Sequence, residues 1–234
     1  MTREKELLRL VTELHADLRA GLVSARGKQV GNPAYEYLFQ SITGLEQAVD
    51  GYILLTNAGK TYAAQLIVRT CLESYFRIQA VWTKPDLLYG IALHEHKEDL
   101  KFLKSAKVKG HDFVARSEVL WQSISQLLVE HFKETGIKDH PLDVYGAALA
   151  GGLTMVFDFQ YRFFCNFTHA TLRSVIGNIA NLHSLSDRTI VICLFGALGA
   201  IAHIGGDIPD MKGKMERVKA AIGIDSFGAS DVVP

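Results

Sequence analysis

Net charge is absent from this chain: 25 Lys and Arg are matched by 25 Asp and Glu across 234 residues. No global field is left to draw in nucleic acid or an anionic membrane, which excludes a general nucleic-acid coat protein and leaves only a local patch open. Cysteine is scarce as well. Cys71, Cys165 and Cys193 lie far apart among apolar neighbours, a pattern that suits reduced core thiols and excludes a disulfide framework or a cysteine zinc site. Strand-like alternation of apolar and polar residues is almost missing. Apolar runs long enough to cross a bilayer are missing too. The longest, 144–157 and 189–202, are about 14 residues each against the roughly 20 a spanning helix needs, so both read as buried core and no membrane is expected. The opening MTREKELLRLVTELHADLRAG is charged and periodic, without the apolar core and small-residue cleavage site of a signal peptide, and the expected location is the cytoplasm.

What is present is helical periodicity. The sequence predicts an all-α, single-domain bundle of about eight or nine helices. Leu7, Leu10, Val11, Leu14, Leu18 and Leu22 fall on one stripe of a helix over 3–26. Asn32 followed by Pro33 reads as a cap and first helical position, opening a helix that lasts to Gly59. Thr61 is expected to cap the next, over 62–82. Further helices are predicted at 86–108, 112–135, 141–150, from Gly152 through the 160s, at 171–182, 187–203 and 210–222. Residues 1–31 are expected to form an N-terminal helix packing on the bundle, 32–206 its core, and 207–234 a short helix and loose tail.

Two apolar helices carry polar stripes. In YRFFCNFTH, residues 161–169, Arg162 and His169 are seven positions apart, 700° along a helix and 20° short of two turns, so they project along nearly one line. Asp158 and Asn166 complete a ribbon about 80° wide. Its surroundings are Met155, Val156, Phe157, Phe159, Tyr161, Phe163, Phe164, Cys165 and Phe167, so the ribbon is expected to be enclosed. Gln65, Arg69, Glu73 and Arg77 form a second ladder at steps of four in an equally apolar helix. Isolated buried charges cost several kcal/mol each, so the two ladders are expected to face each other, with Glu73 close to Arg162 or His169. The plainer reading is a polar network that fixes helix register and carries no chemistry.

Arg, six residues, His near the end of a helix resembles the Arg-x4-6-His motif of the HEPN superfamily, many of whose members are metal-independent ribonucleases. VRTCLESYFR at 68–77 together with YRFFCNFTH also resembles a bacterial helical domain family of unknown function, over roughly residues 35–200. The resemblance implies cleavage of RNA by its own 2′-hydroxyl: His169 moves the proton, Arg162 holds the phosphate, and neither metal nor cofactor is needed. It further implies a homodimer lining one groove, a toxin or defence role, and an antitoxin protein as partner. One position departs from the pattern, because the residue after the arginine, often polar in catalytic members, is Phe163. Asn166 is expected to supply the polar group instead, with Glu73, Asp158, Arg69 and Tyr161 in orienting roles. The alternative from a different class is a non-catalytic helical module whose stripe binds a ligand or a protein.

Other clusters weigh less. Lys97, Lys101, Lys104 and Lys107 share a face and could track a phosphate backbone, but lysines near a helix C-terminus more simply form a solvated face. His94, Glu95, His96 and Glu98 invite a metal reading, yet only His94 and Glu98 share a side, so solvated surface and no metal site is expected. Gly59-Lys60-Thr61 lacks the upstream glycine of a phosphate-binding loop.

Overall fold

A computed structural model describes residues 3–28, 30–108, 114–135, 141–168 and 182–223, and no strand occurs among them. The chain is an all-α, single-domain helical bundle. Its first three helices are α1 (Arg3–Ala25), α2 (Pro33–Asn57) and α3 (Thr61–Thr83). The leucine stripe of α1 is buried along its whole length, each such side chain stabilising the fold by about 1.5–3 kcal/mol relative to exposure. The start of α2 is as predicted: Asn32 Oδ1 accepts the Tyr35 amide at 3.2 Å, and Pro33 fills a position whose N–H would be unbonded anyway. Gly59 (φ 66°) makes the left-handed turn into α3.

Thr61 does not cap α3. It is the first helical residue, preceded by Lys60 without a side-chain cap, and its Oγ1 lies 3.3 Å from His183 Nε2. The side chain is diverted to a tertiary partner that local sequence does not reveal.

Helices α4 (Leu87–Val108) and α5 (Val114–Thr135) pack on each other, and α4 is joined to α3 by the Arg77–Glu95 ion pair at 2.6 Å. Helix α6 (Val144–Ala150) begins at the Asp143 cap, whose Oδ1 accepts from Gly146 N at 2.7 Å, and not at 141. After Gly151 and Gly152 come α7 (Thr154–Val156), a π-helical turn (Phe157–Tyr161) and α8 (Arg162–Thr168). Residues 171–181 of the helix expected at 171–182 and the tail from 224 onward lie outside the described residues, and Leu182 belongs to the next helix.

At the centre stands α9 (Leu182–His203), packed against α1, α2 and α3. By length and composition it could cross a bilayer, but 72% of its most apolar window is buried inside the bundle. Among the described residues it already runs from Leu182, five residues before the predicted 187. Ser186 and Asp187 look like a boundary in sequence, yet they are buried mid-helix and satisfied there: Tyr52 donates to Asp187 Oδ1 at 2.7 Å and Ser186 to Gln65 Oε1 at 2.5 Å. The last helix, α10 (Met211–Ile222), is tied to α1 by Lys214–Asp17 at 3.2 Å and Arg217–Glu13 at 2.9 Å. Cys71 and Cys193 are buried and Cys165 partly so, all as free thiols.

Candidate functional site

The site lies where α3 meets the segment from α7 to α8. Phe76 from α3 and Phe157, Tyr161 and Tyr145 build its floor: Phe157 stacks on Tyr161 at 4.9 Å, Phe76 meets Tyr161 edge-on at 5.8 Å, and Tyr145 meets Phe157 at 5.1 Å between ring centres. A π turn leads into α8, with Arg162 N donating to Phe157 O; Tyr161 faces inward and Arg162 outward.

The Arg162 side chain is 66% exposed. It sits over the Phe157 ring at 5.7 Å and pairs with Asp158 at 3.2 Å, Asp158 itself being exposed. The expected enclosure of this ribbon is therefore wrong. The wealth of apolar residues misled, because Met155 and Phe159 spend their side chains on the surface beside Arg162. Asn166 is half-buried, with its Nδ2 3.4 Å from Arg162 O, and Phe163 packs on Phe164 and Phe167. His169 lies outside the described residues. Near the end of α8, Tyr62 of α3 donates to Phe167 O at 2.7 Å and anchors the helix.

The α3 ladder does face this segment, but Glu73 does not take Arg162 as its partner. Glu73 Oε1 accepts from Tyr161 Oη at 2.8 Å and from Arg69 Nε at 2.9 Å, and Arg69 Nη2 reaches Tyr161 Oη at 3.4 Å. The Arg69 guanidinium also lies over the Tyr161 ring at 5.5 Å. Burial and then the bond to the Glu73 carboxylate hold the Tyr161 phenol above its usual range. Burial lowers Arg69, but its bonds to Tyr161 and Glu73 outweigh that and keep it raised. The other rungs go elsewhere, Gln65 to Ser186 and Arg77 to Glu95. One ladder thus serves three neighbouring elements, since a row of residues at steps of four runs the length of a helix that several others cross.

Lys97, Lys101 and Lys104 are all exposed on α4, away from this floor in the chain, and Lys101 pairs with Glu98 at 2.5 Å. That bond lowers the Glu98 carboxyl. His96 departs from the expected solvated surface: it is buried, and burial lowers its imidazole. No group of three or more His, Cys, Asp or Glu close enough to share an ion occurs among the described residues.

Sequence reading missed one polar node. His15 Nε2 meets Glu46 Oε1 at 2.9 Å and Arg19 Nη2 meets the same oxygen at 2.7 Å, tying α1 to α2. The available signal was Glu46, a carboxylate one position after Leu45 on the buried stripe of α2.

An exposed guanidinium on an aromatic cluster, beside a half-buried carboxylate and arginine and a buried phenol, defines an all-α bundle with a polar patch. The chain belongs to a family of unknown function (DUF5677), whose model matches residues 35–184, well over half of the chain and the whole of this site. No curated protein and no solved structure matches it.

Proposed function

We propose that the chain is a HEPN-like metal-independent endoribonuclease acting through Arg162 and His169. The observation that carries the reading is the open Arg162 guanidinium, held at the surface seven positions before His169, whose partners among the described residues are Asp158 and the Phe157 ring. A phosphate competes well for such a group, since a bidentate Arg–phosphate contact is stronger than an exposed ion pair. In this mechanism the 2′-oxygen attacks phosphorus, the 5′-oxygen leaves, and a 2′,3′-cyclic phosphate and a 5′-hydroxyl remain. His169 takes or returns the proton while Arg162 neutralises the charge gathering on the phosphoryl oxygens. DNA lacks the nucleophile and stays intact. Glu73, Arg69 and Tyr161 orient the helix that carries both groups, and Asn166 supplies the polar contact that Phe163 does not.

The protein on this reading is a cytoplasmic homodimer. Arg162 and His169 would line one groove with their counterparts, and RNA and an antitoxin would be the partners of a defence component. Met155 and Phe159, exposed beside Arg162, favour a second reading in which this surface binds a ligand or protein without chemistry.

Fluorescent RNA incubated with the purified chain in EDTA, beside Arg162→Ala and His169→Ala variants, separates the two. Cleavage that survives EDTA and falls by about 100-fold or more in both variants supports the ribonuclease. Intact RNA across a broad panel removes it in favour of the binding module.

A further inference from the structure

A hollow elsewhere shares no residue with the polar patch. It lies between the end of α3, the middle of α9 and the start of α10, is open to solvent on one side, has a volume of about 210 Å3, and is lined by Trp82, Phe195, Gly199, Met211, Met215 and Lys212, with Gly196 in its floor. The lining is almost wholly apolar, and Lys212, exposed at its edge, contributes chiefly its methylene stem. Two glycines shape it. A Cβ on Gly199 would stand 2.6 Å from the Trp82 ring and one on Gly196 2.2 Å from the Tyr75 ring, so the lack of a side chain lets both rings approach α9 closely. Trp82 stays half-buried, with one part on the helix and the rest available to the hollow.

We infer that this hollow binds a small apolar carboxylate, about the size of benzoate to octanoate. The volume argues for size: a dry apolar cavity of about 150 Å3 takes up benzene, so 210 Å3 has room for a ring or a chain of a few carbons more. The lining argues for chemistry. Ring faces and unbranched thioethers adapt to an apolar body and offer it no hydrogen bonds. Lys212 argues for charge: it is exposed on the first turn of α10 and makes no hydrogen bond or ion pair among the described residues, so one cation stands at the mouth for one anion. A doubly charged phosphate is served less well by a single lysine, and a neutral molecule leaves it unused.

Trp82 is one of two tryptophans, so in a Trp121→Phe chain its emission reports the hollow directly. Titration with octanoate is expected to change that emission saturably. Lys212→Gln weakens octanoate about threefold and leaves 1-octanol unchanged, the size of effect an exposed charge pair gives. Met215→Trp and Met211→Phe, each filling the hollow, weaken both probes by about tenfold or more. Amide shifts of Gly196 and Gly199 in the NMR spectrum of the unaltered chain give a second readout that depends on no variant. No saturable change in either readout up to about 5 mM octanoate overturns the inference, as does equal binding by folded filling variants. Octanol binding as tightly as octanoate, with Lys212→Gln without effect, overturns the carboxylate. RNA cleavage is untouched by any of these results, so this inference and the proposed activity stand or fall separately.

Discussion

Tyr161 is the residue on which the site's geometry turns. Its hydroxyl donates to Glu73 and accepts from Arg69, and its ring lies under Arg69, so Tyr161→Phe removes both bonds and leaves the carboxylate with its Arg69 partner. A loss of about 1 kcal/mol in urea unfolding is expected. The pH dependence has a definite sign. Burial and a neighbouring carboxylate raise both Tyr161 and Tyr52, so the folded chain keeps these protons above pH 10, where an unfolded phenol with its ordinary value of about 10 gives them up. Their contribution is therefore complete below about pH 10 and is lost as the pH rises beyond it. Urea melts between pH 8 and 11 should show that fall, shallower in Tyr161→Phe. At the other end of the molecule, Glu46→Ala leaves His15 inside the α1–α2 contact without its carboxylate. That change should cost about 2 kcal/mol, measured in the same way, whereas Arg19→Ala, at the exposed rim, should cost less than about 1.

Among the elements, α9 is the tightest fit. Gly196→Ala gains up to about 1 kcal/mol of helix propensity but drives a methyl into the buried Tyr75 ring, which cannot swing away. The net expectation is a loss of about 1–3 kcal/mol in a denaturant melt, partly recovered in the Gly196→Ala, Tyr75→Leu double variant. A control on α10 behaves oppositely: Lys212→Ala, exposed on its first turn, should change stability by less than about 0.5 kcal/mol. The π turn is the element that sequence periodicity could not supply. A single widened turn leaves the apolar pattern intact on both sides, so the 3.6-residue period does not mark it.

For the whole molecule, stability should be uneven. Helices α1, α2, α3 and α9 share one core, whereas α4 and α5 lean chiefly on each other and expose Phe102, Val119 and Leu127. Hydrogen exchange should find the α4 and α5 amides exchanging through local opening, well before those of α9, which wait for global unfolding. Much of this architecture was legible in the chain. The helix spans, the Asn32–Pro33 start, the leucine stripe of α1 and the burial of the apolar run at 189–202 follow from a 3.6-residue period and local capping, which depend on near neighbours alone. So did the membership of Arg69, Glu73, Tyr161 and Arg162 in one region, because polar residues on apolar helices must find company. Partner choice was not legible. Glu73 took Tyr161 and not Arg162, Thr61 turned to His183, and Ser186 and Asp187 went inside the bundle, each settled by which helix lay opposite. Sequence fixes the angle at which a side chain leaves its own helix. Only the packing of one helix on another brings a second group to within the 3 Å at which that side chain becomes paired, buried or open to a ligand.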